Sequence, residues 1–256
     1  MNRVGEVGYN NFGSKMVIVK YRKNSDIDIY FPEYDWTFKN TYYSVFKNGK
    51  IRCPYERTVY DIGYLGEGKY KVKENGKTSR VYNTWRGILT RCYSDKYQEK
   101  HFTYEDCNAS EKFHNFQNFG DWDSENFYQI EGEKMCLDKD ILVKHNKIYS
   151  PETCIYVPQR INTLFTKSDK SRGDYPIGIS YEKTNSKFKV QCHLINPETG
   201  KSKLKHLGYY ETQEKAFEVY KYYKEKNIKQ VADYYKNKIP TKLYDAMYKY
   251  EVEITD

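Results

Sequence analysis

Residues 187–194, KFKVQCHL, alternate without a break. Lys187, Lys189, Gln191 and His193 fall on one side of an extended chain, and Phe188, Val190, Cys192 and Leu194 on the other. The pattern predicts a strand with one face for a core and one for a polyanion. Strands near 177–182 and 203–210 accompany it, and a helix from about Thr212 to Lys226 presents Ala216, Phe217, Tyr220 and Tyr223 to the apolar side. The expected unit is a three-stranded sheet backed by one helix.

Charge supports the polyanion. From Lys167 to Lys205 there are nine Lys/Arg against four Asp/Glu, nine minus four giving +5 of the chain's total of +8. Clustered cations attract phosphate backbones and release their counterions on binding. Only 38% of the 256 residues are apolar and 29 are tyrosine, so aromatic rings must fill much of the core, and small modules are favoured over one large domain. The six cysteines are widely spaced with no C-x-x-C pair, which fits reduced, buried thiols rather than a zinc knuckle or a disulfide framework. No apolar run reaches the roughly 18 residues of a membrane span, and no signal-peptide pattern opens the chain. The expectation is no membrane partner and a place in the cytoplasm of a host bacterial cell.

Along the chain, residues 1–81 read as a β-rich module. MVIVKYRKNSDIDIYF (Met16 to Phe31) is a hairpin around Lys-Asn-Ser-Asp, a second pair is expected around Asn48-Gly49, and Asn75-Gly76 marks a further turn. Helix follows: Trp85, Ile88, Leu89 and Cys92 make one apolar stripe with Asn83 or Thr84 as cap, and Phe113, Phe116, Phe119 and Trp122 repeat the pattern. Ser150-Pro151-Glu152 predicts a helix N-terminus, the helix running to about Phe165. Residues 166–176 read as a linker, and 231–256 as a helical tail.

The stretch MCLDKDILVKHNKIYSPETC, residues 135–154, supplies strand, hairpin and strand before that helix. Such a frame suits a small nuclease site in which a carboxylate at a strand end and a ligand on the helix hold one hard cation, Mg²⁺ or Mn²⁺, with waters and a phosphate oxygen completing its shell. TWRGILTRCY, LDKDI and YSPETCIYVPQRIN together resemble the HNH endonucleases of phages, homing type, over about Tyr82 to Phe165. The resemblance implies a ββα-metal domain over 82–165 in which Asp138 and Asn162 are the metal ligands. Lys139 stands at the general-base position where the family most often has His, and Thr153 where it has Asn. His145, six residues on, is the reserve base, since imidazole titrates near neutrality.

Further on, YPIGIS, KFKV, HLGYYET and QEKAFEVY are together similar to the plant ethylene-response-factor (APETALA) type of DNA-binding domain, over about Asp174 to Lys226 within a module spanning 166–230. The resemblance implies that the sheet lies in the major groove of double-stranded DNA. Lys183, Lys187, Lys189, Gln191, His193, Lys203, Lys205 and His206 are the expected DNA-binding residues, Gln reading base edges and Lys gripping phosphates. Phe188 and His206 stand at Trp positions of that family and His193 at an Arg, so base preference does not carry over. GEVGYNNFGSKMVIVKYR resembles the leading module of the same phage proteins; it is expected either to contact DNA through Lys15, Lys20, Arg22, Lys47 and Lys50, to contact a protein partner, or to serve equally as a plain scaffold.

The sequence thus predicts an α+β chain: a β-rich module, an HNH-like ββα-metal domain and a sheet-plus-helix DNA-binding domain. The expected activity is metal-dependent DNA cleavage. The alternatives are a DNA-binding regulator without cleavage and a protein-binding inhibitor of a host defence.

Overall fold

The computed structural model describes residues 2–166 and 174–254, so residues 167–173 of the expected linker lie outside the described residues. The chain is mixed α+β and divides into two compact units, Met1–Glu125 with Tyr149–Pro151, and Asn126–Ile148 with Glu152–Asp256. The stretch 82–165 is shared between them. Among the described residues, no helix is long and apolar enough to cross a membrane.

In the first unit, β1 (Val7–Tyr9), β2 (Lys15–Lys23), β3 (Asp26–Phe31) and β4 (Trp36–Thr41) form an antiparallel meander. The β2–β3 turn falls at Asn24-Ser25, as the sequence predicts. Met16, Ile18, Ile27, Ile29 and Phe31 are fully buried, packed with Phe46 of α1 (Tyr43–Lys47). The hairpin expected around Asn48-Gly49 does not form, because that dipeptide closes α1 instead. Gly49 N–H donates to the Phe46 carbonyl and Lys50 N–H to that of Val45, both at 3.0 Å, with Gly49 at φ +62°. This is a Schellman cap, which needs the left-handed residue that glycine supplies. Asn75-Gly76 does turn a hairpin, between β5 (Lys73–Glu74) and β6 (Lys77–Thr78), with φ of +50° and +75°.

Helix α2 (Arg80–Tyr93) starts earlier than expected: its cap is Ser79, whose hydroxyl accepts the Tyr82 N–H at 3.2 Å, rather than Asn83 or Thr84. Its predicted stripe, Trp85, Ile88, Leu89 and Cys92, is buried. After α3 (Asp95–Gln98), a 3₁₀ turn (Phe102–Tyr104) and β7 (Asn108–Ala109), the second expected helix comes in two pieces, α4 (Glu111–His114) and α5 (Phe116–Asn126). Extended Asn115 breaks it, its side-chain oxygen accepting the Gln117 N–H at 2.8 Å. The aromatic stripe still forms the core: Phe113 meets Phe119 at 5.1 Å and Trp122 at 5.3 Å, and Trp85 Nε1 donates to the Phe113 carbonyl at 2.7 Å.

The second unit contains β8 (Met135–Asp138), β10 (Ile155–Pro158) and α6 (Gln159–Phe165); the short β9 (Ile148–Tyr149) comes between β8 and β10 in the chain, and its Tyr149 belongs to the first unit. The helix expected from Ser150 is therefore corrected: Ser150 to Thr153 is a turn, and helix begins only at Gln159. All four residues of β10 are buried and pair with β8, so burial on both faces outweighs the local cap signature. Pro158 then ends the strand; as an interior residue of a helix from 150 to 165 it would have removed a hydrogen bond and clashed with the preceding turn.

Strands β11 (Ile179–Glu182), β12 (Lys187–Ile195) and β13 (Ser202–Tyr210) form the three-stranded antiparallel sheet in that order, backed by α7 (Gln213–Tyr235). Val190 and Cys192 bury against Ala216 and Tyr220, with Phe188 and Phe217 at the margin. The helix runs on to Tyr235 rather than ending near Lys226. Its second half has its own core, in which Ile228, Val231, Ala232 and Tyr235 pack with Ile155, Val157, Ile161 and Leu164, and with Leu243 and Met247 of α8 (Thr241–Lys249). Buried Asn227 joins the two halves: its side chain accepts the Ile195 N–H at 2.8 Å and donates to the Ile195 carbonyl at 2.9 Å, acting as a strand neighbour for the end of β12.

Candidate metal centre and nucleic-acid interface

Strand β8 runs antiparallel to β10, with Asp138 opposite Ile155 and Met135 opposite Pro158, and α6 packs on both strands. Strand, loop, strand and helix thus stand in the order expected of a ββα frame. Asp138 ends β8. Its Oδ1 accepts the N–H groups of Asp140 and Ile141, each at 2.8 Å, which folds the chain back in a tight turn anchored by buried Ile141.

The turn brings Asp138, Lys139 and Asp140 together. Lys139 is buried, 8% exposed, and its ammonium lies 3.0 Å from Asp140 Oδ2. Burial first, and then the neighbouring Asp140 charge, push the half-buried Asp138 carboxyl up to about 7; the two backbone N–H donors oppose that shift. Asp140 is a member of this group that sequence reasoning passed over. The signal was the Asp-x-Asp spacing, two carboxylates across one turn.

The rest of the loop is held by Asn146. Its amide donates to the carbonyls of Lys139 and Ile148, both at 2.7 Å, and its oxygen accepts the Ile148 N–H at 3.2 Å. His145, at φ +64°, is exposed, with Nε2 3.3 Å from a Glu253 carboxylate oxygen. Lys144 reaches the same carboxylate at 3.1 Å and the Glu251 carbonyl at 2.8 Å. Asn162 is half-buried on α6, and among the described residues it makes no hydrogen bond to Asp138. Thr153 donates its hydroxyl to the Ile148 carbonyl at 2.8 Å, closing the loop on its far side. Among the described residues, no group of three or more His, Cys, Asp or Glu side chains is placed to hold a metal. The oxygen donors of Asp138 and Asp140 do suit a hard cation, which needs few protein ligands when waters fill the remainder.

The sheet sorts the expected DNA-binding residues onto two faces. Residues directly opposite in antiparallel strands share a face. Lys189 therefore stands with Ser180 and Tyr209, Gln191 with His206, and His193 with Leu204, while Lys187 stands with Glu182 and reaches Glu211 at 2.8 Å. These form the face away from the core. Lys203 and Lys205 are placed differently: they pair with Leu194 and Cys192 on the helix side, and the Lys205 ammonium lies 5.2 Å from the Tyr223 ring centre. Both lysines stay exposed at the edge strand, and Lys183 sits in the turn after β11. A bulge explains how His206 and Tyr209 share a face although three residues apart. Leu207 is the extra residue between the pairs Val190/Gly208 and Gln191/His206; it turns into the core, and Gly208 adopts φ +119°. The His206 and Tyr209 rings meet at 4.9 Å.

No protein-family model, curated protein or solved structure matches the chain.

Proposed function

We propose that the chain is a metal-dependent DNA endonuclease of HNH type, binding double-stranded DNA through the outer face of the β11–β13 sheet and cutting it at the β8 turn. One observation carries the reading: a ββα frame whose first strand ends in a tied turn bearing two adjacent carboxylates, with the frame's helix packed on that strand. Asp138 and Asn162 would hold a divalent ion, Mg²⁺ or Mn²⁺, and Asp140, in the same turn as Asp138, would offer a third oxygen donor. When bound, such an ion polarises the scissile phosphate and stabilises the leaving oxygen.

The remaining roles fall to the chain's own side chains. Lys139, buried and paired with Asp140, balances charge in the turn rather than taking a proton. His145 is then the base, with Nδ1 the nitrogen left to accept a proton from water while Glu253 faces Nε2. Lys189, Gln191, His193, His206 and Tyr209 make the duplex surface, Lys189 on phosphate and Gln191 on base edges.

The test is incubation of supercoiled plasmid with the full chain and Mg²⁺ or Mn²⁺, alongside Asp138→Asn. Asparagine retains an oxygen for the two turn N–H groups while losing the charge, so the variant should fold and bind but not nick. A second reading, a duplex-binding regulator without cleavage, is favoured by the burial and pairing of Lys139. Salt-dependent binding with no nicking under either metal would select it and remove the enzyme.

A further inference from the structure

The first unit holds an exposed aromatic side chain on a loop built to keep it still. The β1–β2 connection, residues 10–14, spends all five of its backbone N–H groups internally. Asn10 N–H donates to the Ser14 carbonyl and Gly13 N–H to that of Asn10, both at 3.0 Å; Asn11 N–H donates to the Gly49 carbonyl at 2.9 Å. The Phe12 and Ser14 N–H groups both donate to Asn10 Oδ1, at 3.0 and 2.9 Å. The Asn10 side chain is buried, donating to the Ile51 carbonyl at 3.0 Å and to Glu56. The Gly49 turn sits so close that a Cβ there would lie 2.7 Å from Asn11 Oδ1.

What this frame displays is Phe12, 53% exposed, with the Arg52 guanidinium 4.3 Å from its ring centre. Tyr9, 64% exposed, flanks the loop at the end of β1, opposite Lys15, and Lys50 follows the Gly49 turn. Among the described residues, neither Lys15, Lys50 nor Arg52 has an acidic side chain in ion-pair range, whereas Lys47 is drawn to Glu6 at 3.6 Å. Arg22, by contrast, is consumed by Asp26, Asp28 and Asn40 and is not free for phosphate, which corrects its place among the expected DNA contacts.

We propose that Phe12, Arg52 and Tyr9 form a stacking platform for unpaired bases of a single-stranded nucleic acid, with Lys15 and Lys50 on its backbone. An apolar ring held on a rigid loop loses little entropy when a base stacks on it, and an arginine already lying along that ring keeps its outer N–H groups for phosphate. With no loop backbone N–H left to donate, binding rests chiefly on ring faces and charge, which suit any base. The rim's cations Lys15, Lys50 and Arg52, none in an ion pair among the described residues, favour nucleic acid over a protein surface.

The full chain carrying Asp138→Asn, so that no cutting intervenes, is titrated into a short single strand containing one 2-aminopurine, whose emission falls when the base stacks. The unaltered platform should bind and quench. Phe12→Ala should lose the quench and about tenfold or more in affinity, the scale of one base–aromatic stack. Phe12→Trp should retain both, and Arg52→Lys, keeping charge but not the plane, should fall between. Lys189→Ala, which addresses the duplex surface, should leave the quench unchanged, so failure of the nuclease reading and failure of this one are separable. Equal binding and quench by Phe12→Ala overturns the proposal. So does absence of any affinity for single strands, which would leave Phe12 to a protein partner.

Discussion

Replacing Asn227 by alanine strips both partners from the Ile195 backbone. Residues 195 and 227 are only 6% and 4% exposed, so water cannot readily take over the N–H and carbonyl that the amide serves at 2.8 and 2.9 Å. An unsatisfied buried group costs about 1–3 kcal/mol. Two of them give about 2–6 kcal/mol, set against the roughly 5–15 kcal/mol that holds a domain together. Local amide exchange over Lys187–Ile195 is the direct measurement, because the loss falls where β12 meets α7. A cost of about 3 kcal/mol corresponds to exchange roughly a hundredfold faster. Asn227→Asp should be no better, since it loses the donor and sets a carboxylate against the Ile195 carbonyl. The three tryptophans, Trp36, Trp85 and Trp122, all belong to the first unit, so their fluorescence reports on a part of the chain that holds neither residue. Exchange at Ile195 altered less than about threefold, under 1 kcal/mol, would refute the claim that this amide serves as the missing strand.

Burial holds the His114 imidazole below its ordinary value of 6.5, against a hydrogen bond with the Ala109 carbonyl that works the other way. As pH falls below about 6.5 the unfolded chain takes up the proton first, so the first unit loses stability until the folded imidazole is protonated as well. The urea midpoint read by tryptophan fluorescence should therefore drop between about pH 7 and pH 5, and His114→Gln should flatten that drop. On the sheet, Lys189→Ala should weaken duplex binding at every sequence and reduce the salt slope by about one. Lys205→Ala, on the helix side, should change both by less than half as much in anisotropy titrations across salt.

The elements that local pattern determines were legible. Strict alternation in 187–194 and the apolar stripe of α7 place the three-stranded sheet and its helix, and Asn75-Gly76 places a hairpin. Where one local signal serves two structures, the sequence misleads. Asn48-Gly49 reads as a hairpin turn, yet the same left-handed preference caps a helix, and only the packing of Phe46 beneath the sheet decides between them. Ser150-Pro151-Glu152 carries a cap signature, but β10 is buried on both faces through long-range pairing with β8 that no window of the sequence contains. The contrary signal was present in Pro158.

At the candidate site, the strand-end position of Asp138 was readable from residue order. The burial of Lys139 and the capture of His145 by Glu253 were not, since the first depends on the tied turn and the second on a residue 108 positions away. The two faces of β13 escaped for a third reason: the extra residue Leu207 changes the phase of alternation after His206, so counting in twos puts Tyr209 on the wrong face, with Lys203 and Lys205 instead of with His206.

That bulge separates two properties that composition would fuse. Charge on the outer face belongs to Lys187 and Lys189, but the bend of the surface belongs to Leu207 and Gly208, neither of which is charged. A side chain at position 208 would be strained at φ +119°, and relieving the strain would straighten the strand while every cation stayed in place. Curvature and charge can therefore vary independently in this module, and a neutral glycine sets how closely its lysines can follow a curved partner.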